Sequence, residues 1–384
     1  MKRFLVCSLS FLLPGGTLLV ASDNFTIPVP GVVVTGVRSS SSTTDDVVIT
    51  ASYTDAGTTS AAIYSGSLAG ATSAAVSSWV AFAPTFIGQS VTSSTFYGPN
   101  TSLFTPSIGE GNIVAVGSYK YAESPSGPGA DHGMIYQGPV NGVAGTWTQI
   151  DATPLVTSGT LINTIAHSNM GSLVVGNYDT SLATGNAFIY NRTTEAWTNF
   201  NPSVSIADPD GAKSVTAYGI WQNSLTDYTI AGGLSDVTSE GLDEGYLANY
   251  DASTGLITDY KTFNYNNAPL SSIVSHFDGI TITATGFNLT GDYTILAPGG
   301  GLGAFFASVT VLPDGSFSDA VWTDVTIDSA TFISGNTVLG ESVLGIYTGT
   351  NGTLSYIVAV PEPTPVALLA IAAGIVLLRC RRKS

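Results

Sequence analysis

The sequence predicts an all-β fold, a six-bladed β-propeller, from three observations. A short small-x-aromatic pattern recurs six times, each recurrence brings the same companion runs of β-forming residues, and the composition disfavours helices. Of 384 residues 43 are glycine and only 10% are charged, and the remainder is rich in Ser, Thr, Val and Tyr, a balance that suits strands and tight turns.

The pattern stands at Ala51-Ser52-Tyr53, Gly117-Ser118-Tyr119, Gly176-Asn177-Tyr178 and Gly345-Ile346-Tyr347, with Ala231-Gly232-Gly233 and Thr285-Gly286-Phe287 read as variants. With Leu234 as the fourth marker, the steps are 66, 59, 56, 53 and 60 residues. Such a near-constant period marks repeated supersecondary units. A second run follows each marker, as at Ala61–Tyr64, Gly133–Tyr136 and Asn186–Tyr190, and then a third with an aromatic: Trp79, Trp147, Trp197, Tyr260 or Trp322. Turn signals such as Pro313-Asp314-Gly315 separate them. One further β-rich run precedes each marker, giving four strands per unit and six units, the description of a propeller. A pair of sandwiches or an open array of sheets is the alternative.

The sixth copy is incomplete, because the chain passes from Ser355–Ala359 directly to Pro361. A spare β-rich stretch, Asn24–Val29, lies ahead of the first inner strand at Val32. It is expected to pair with the last blade, close the ring and leave only short protected edges. The domain reading is thus a signal peptide over 1–22, a propeller over 23–359 and a sorting segment over 360–384.

The first segment has the grammar of an export signal: Lys2 and Arg3, an apolar stretch from Phe4 to Val20, then Ala21 and Ser22. The Sec translocon is the partner this implies. Neither Leu19-x-Ala21 nor Val20-x-Ser22 is an ideal small-x-small site, so the cleavage point stays open. At the other end Pro361-Glu362-Pro363 leads into 13 apolar residues from Val366 to Leu378, followed by Arg379, Arg381, Arg382 and Lys383. As a helix this run reaches ~20 Å against a hydrocarbon core of ~30 Å, a short transmembrane span with its cations held on the cytoplasmic side.

The three-part tail resembles the PEP-CTERM sorting signal read by membrane-embedded exosortases. The resemblance implies that Pro361, Glu362 and Pro363 are the recognition element. It also implies transfer across the inner membrane, removal of the tail, and delivery to the cell surface or extracellular matrix. Within the body, Thr164–Tyr178 with Asn186-Ala187-Phe188 resembles the extracellular HAF-type repeat, Asn186 standing where that repeat has histidine.

Charge narrows the partners. Outside the two end segments five cations face 26 acids, a net −21 for the body against −16 for the whole chain. Nucleic acid is excluded, since phosphate binding needs clustered Lys and Arg. No cofactor is expected beyond a weakly bound divalent cation, and the matrix partners in view are extracellular polysaccharide or other matrix proteins. Both cysteines, Cys7 and Cys380, lie in the end segments, so the body has no thiol chemistry.

Counting eleven residues back from the markers reaches His167, Asn223, His276 and Asn336, which points to a polar ring at the channel mouth; hydrogen bonding to the adjoining turns is the plainer reading. Asp131-His132 reads against a dyad, because neighbours on a strand face opposite ways. Asp208-Pro209-Asp210-Gly211 reads as a turn, lacking the further acids of a calcium loop. The body retains only Arg38 and Arg192, too few for the arginine triad on which sialidase-like propellers rely. The leading expectation is a non-enzymatic adhesion, scaffold or binding module; the alternative is a carbohydrate-active lyase or hydrolase using an acidic pair in the channel.

Overall fold

The computed structural model describes residues 23–360, apart from 87, 123–128, 206–207, 239–240 and 351. The signal segment and the whole sorting tail, including Pro361, Glu362 and Pro363, lie outside the described residues. Among the described residues no helix is long and apolar enough to cross a membrane.

The described chain enters with β1 (Asp23–Ile27). Blade 1 is β2 (Val32–Ser39), β3 (Asp46–Asp55), β4 (Thr58–Ser67) and β5 (Trp79–Phe82). Blade 2 is β6 (Val91–Thr101), β7 (Asn112–Tyr121), β8 (His132–Pro139) and β9 (Thr146–Ile150). Blade 3 is β10 (Leu161–Met170), β11 (Leu173–Thr180), β12 (Asn186–Asn191) and β13 (Ala196–Phe200). Blade 4 is β14 (Ser214–Gln222), β15 (Asp227–Ser235), β16 (Glu244–Asp251) and β17 (Leu256–Phe263). Blade 5 is β18 (Ile273–Ile282), β19 (Gly286–Ile295), β20 (Leu302–Thr310) and β21 (Val321–Val325). Blade 6 is β22 (Phe332–Leu339), β23 (Ser342–Gly349), β24 (Gly352–Ala359) and, outermost, β1.

Each blade is a four-stranded antiparallel meander. The first strands β2, β6, β10, β14, β18 and β22 lie against one another in turn, β22 meeting β2, so the ring is closed. β1 does what the incomplete sixth copy required: Asn24 pairs with Val358 and Thr26 with Tyr356. Ser355 locks the same seam, its Oγ donating to Val32 O at 2.8 Å and accepting the Val34 N–H at 3.0 Å.

The repeat has a physical cause. At Gly117, Gly176, Gly232, Gly291 and Gly345 a Cβ would run into a backbone carbonyl of the blade's inner strand, at Thr95, Ile165, Thr216, His276 and Ser334 respectively. A small residue is therefore imposed at this point of every second strand. The fifth marker is accordingly Gly291-Asp292-Tyr293. Thr285-Gly286-Phe287 sits six residues earlier, where β19 begins. The aromatic of the last strand is imposed by pairing: Trp79 faces Tyr64, Trp147 faces Tyr136 and Trp197 faces Tyr190 across β-ladders. The core lies between blades, as where Val114, Val116 and Ile135 of blade 2 pack with Val174 and Phe188 of blade 3.

Candidate functional site: an axial pocket built from six β-bulges

Every inner strand carries an irregularity at the same level. The ladder slips between Val34 and Gly36, Phe96 and Gly98, Ala166 and Ser168, Ala217 and Gly219, Phe277 and Gly279, and Ser334 and Thr337. A bulge re-aims one side chain out of the ladder. The bulged residues Thr35, Tyr97, His167, Tyr218 and Asp278, with Asn336 in blade 6, all line one cavity of about 250 Å³. Small residues follow most bulges because the next inner strand comes close: a Cβ on Gly98 would lie 2.6 Å from His167 O.

Neighbouring blades are stitched at this level by side chains that reach bulge carbonyls. Thr35 Oγ1 donates to Phe96 O at 2.5 Å, Asn169 Nδ2 to Gly98 O at 3.0 Å, and Asn336 Nδ2 to Val34 O at 2.6 Å. One side of the cavity is a chain of rings. Tyr97 and His167 have centroids 5.1 Å apart, His167 and Tyr218 4.6 Å, and Tyr218 and His276 5.6 Å.

Arg38 closes one end. It is 5% exposed and crosses from blade 1 to donate to Ile220 O at 3.1 Å and Ile280 O at 3.5 Å, as well as to its neighbour Val37 O. Its guanidinium sits 5.3 Å from the Trp221 ring centre. Burial lowers its pKa to about 10, which still leaves it charged at neutral pH.

The acidic side is made by blades 5 and 6. His276 and Asp292 are direct partners across the β18–β19 ladder, and the bulge brings Asp278 to them, so that ligand atoms of all three lie within 4.8 Å of one another. His276 Nε2 lies 3.4 Å from Asp278 Oδ1. Asp292 accepts from Ser334 Oγ at 2.9 Å and from the Gly335 N–H at 2.8 Å. Burial opposes charge on His276, but Asp278 by charge and hydrogen bond, helped by Asp292, outweighs it and pushes the imidazole up to about 9. Burial and then Asp278 push Asp292 up to about 6, against the opposing pull of His276 and its own two donors.

Of the four ring residues counted from the markers, His167 and Asn336 line the pocket and His276 joins it through Asp278. Asn223 does not: it follows β14 on a longer hairpin, lies in a separate groove between blades 4 and 5, and donates to Thr229 Oγ1 at 2.8 Å. The offset fails there because hairpins differ in length. His167 is followed by a tight turn at Gly171, whereas blade 4 inserts Asn223–Thr226. Asp131 pairs with Lys120 at 3.3 Å and His132 with Asp151 at 2.9 Å, each away from the other. Asp208 caps Gly211 in a turn.

The pocket residues that the offset missed are Thr35, Tyr97, Tyr218, Asp278, Asp292 and Arg38. A signal for most of them was present, the tripeptide apolar-x-small: Val34-Thr35-Gly36, Phe96-Tyr97-Gly98, Ala166-His167-Ser168, Ala217-Tyr218-Gly219 and Phe277-Asp278-Gly279. Its middle residue is the bulge.

No family model and no curated protein matches the chain. Among solved structures it is similar to Trypanosoma rangeli sialidase, at 10% identity and a TM-score of 0.45, over 88% of this chain and 55% of that one. It is also similar to the extracellular domain of a one-component system from B. thetaiotaomicron, at 11% identity and 0.37, over 88% of this chain and 40% of the other. A third is a glycoside hydrolase of the mannoside phosphorylase family that targets β-1,2-mannosidic linkages in Candida mannan, at 12% identity and 0.34, over 67% of this chain and 85% of that one. The chain thus spans about half the length of the sialidase, and at such identities the likeness is one of fold alone.

Proposed function

We propose that this is an exported surface or matrix protein whose propeller binds a small hydroxylated ligand, a sugar residue of an extracellular polysaccharide, in its axial pocket without turning it over. The observation that carries this reading is the ring of bulges. Five inner strands each give up a ladder position to aim Thr35, Tyr97, His167, Tyr218 or Asp278 into one cavity, and ring faces beside a few placed polar groups are what a small-ligand site needs. Export through the Sec translocon and sorting by an exosortase at Pro361-Glu362-Pro363 complete the proposal, with final residence at the cell surface or in the matrix.

One observation favours a second reading. Asp278 and Asp292 face each other in the same cavity, and paired carboxylates are the chemistry of glycoside cleavage. A glycan array and a polysaccharide degradation assay on the full chain in detergent separate the two. Binding that Tyr218→Ala weakens at least ~10-fold, with no product released, supports the binding module. Product release abolished by Asp278→Asn overturns it in favour of the enzyme, and no binding to any glycan sinks both.

A further inference from the structure

We propose that His276, Asp278 and Asp292 form a site for one first-row divalent cation, Mn²⁺ or Zn²⁺, on the wall of the axial pocket. This goes beyond the reading above, since the cation needs no sugar to bind. Four observations support it. One nitrogen of His276 and one oxygen from each carboxylate lie within 4.8 Å of one another. His276 Nε2 and Asp278 Oδ1 are 3.4 Å apart, which matches the ~3.4 Å between ligands of a tetrahedral ion with bonds of ~2.1 Å.

Second, the donors are held before any ion arrives. His276 and Asp292 are fixed by strand pairing, and Asp292 is steered by Ser334 Oγ and the Gly335 N–H. Such outer partners orient metal ligands and raise affinity.

Third, Asp278 Oδ2 is a buried carboxylate oxygen without a hydrogen-bond partner. An anionic oxygen left so is costly, and a cation would satisfy it.

Fourth, the cluster opens on a cavity also lined by Asn336, Ser334 and Tyr218, which leaves room and oxygen donors for the remaining coordination positions. A mixed imidazole and carboxylate set selects a first-row ion over Ca²⁺, which prefers six to eight oxygens. Arg38, the other charge in the pocket, is bonded to carbonyls on blades 1, 4 and 5 and so leaves the acids free for the ion.

The test uses the full chain in detergent, stripped with chelator and titrated with Mn²⁺ or Zn²⁺ by calorimetry, with Mn²⁺ also followed by paramagnetic resonance. One saturable site per chain is expected, with a proton released to solvent as His276 Nε2 exchanges it for the ion. Asp278→Asn and Asp292→Asn should each weaken it by at least ~10-fold. The double change Asp45→Asn with Asp46→Asn, where the chain enters β3 of blade 1, should leave it unchanged; this separates the site from loose attraction to an acidic surface. Wild-type affinity in both single variants, or many weak sites in place of one, overturns the proposal. Should Asp292→Asn fail to fold, Ser334→Ala decides together with the wild-type spectrum. Weakened binding, with Mn²⁺ broadening the His276 ring signals and sparing those of His132, upholds the site; unchanged binding or uniform broadening overturns it.

Discussion

Two histidines, one lining the axial pocket and one reaching it through Asp278, are held in opposite states. On the blade 3 wall His167 hydrogen-bonds Asn177 at 2.7 Å and sits between the rings of Tyr97 and Tyr218, tilted to the first and edge-on to the second. On the blade 5 wall His276 has Asp278 and Asp292 beside it. Burial acts against the charged form of both. It wins at His167, lowering it to about 4 despite help from Asn177, Asp278 and Asp131. It loses at His276, which ends near 9. Both stand on an inner strand, His167 at the bulge itself and His276 two residues before the bulged Asp278, and the difference lies in their side-chain partners, the neutral amide of Asn177 against the carboxylates of Asp278 and Asp292. A propeller repeats its geometry and varies its chemistry blade by blade.

The largest effect that tests this contrast is acid sensitivity. An unfolded histidine titrates near ~6.5, above the value that His167 has in the fold. Its contribution is therefore fully present above pH ~6.5 and lost as pH falls toward ~4, because the unfolded chain takes up a proton that the folded one refuses. The loss is at most about 3.5 kcal/mol at ~1.4 kcal/mol per pH unit. Denaturant unfolding of wild type and His167→Gln across that range should show a shallower slope in the variant. Asn177→Asp should go further and raise the His167 midpoint by about 1–3 pH units, moving it toward that of His276. With three histidines in the chain, ring proton signals report each titration. An unmoved midpoint in Asn177→Asp would mean that burial alone, not the hydrogen-bonding partner, sets the state.

Much of this architecture was legible in advance, and the limits have physical reasons. The marker glycines were readable because a backbone carbonyl forbids a side chain there, and the incomplete sixth copy announced the strand that completes it. Blade 5 was read six residues early because Thr285-Gly286-Phe287 mimics the marker, while the true one, Gly291-Asp292-Tyr293, has an acid in its middle. That acid is the one that lines the pocket. Asp278 and Asp292 are separated by the length of a hairpin, and only the ladder register brings them together. His167 and Asn336 were found by an offset that holds where the hairpin is tight, and Asn223 was misplaced where it is not.

A smaller effect asks how rigid each wall is. Alanine at Gly98 would place its Cβ 2.6 Å from His167 O, a backbone atom, whereas alanine at Gly219 meets the Ile280 side chain at 2.7 Å. Backbone cannot step aside without moving its strand, so Gly98→Ala should cost about 1–3 kcal/mol and disturb the His167 titration. Gly219→Ala should cost less, since a rotamer change at Ile280 relieves it. Thermal unfolding of the two variants gives the ranking, and equal losses would show that blade 5 is packed as stiffly as blade 3.

The smallest effect tests whether the walls act separately. Thr35 belongs to the neutral side, and its Oγ1 donates to Phe96 O. Thr35→Val keeps the shape and removes that bond, which is worth about 0.5–1.5 kcal/mol, less if water in the cavity serves the freed carbonyl. The His276, Asp278 and Asp292 cluster lies on blade 5, joined to blade 1 through blade 6, where Asn336 reaches Val34 O, and through Arg38, which reaches Ile280 O, but not through Thr35. If the walls are independent, Thr35→Val lowers the melting temperature slightly and leaves Mn²⁺ affinity where it was. A change in affinity beyond about threefold would instead mean that the bulges form one coupled ring, because sites that share no partner should add without interaction.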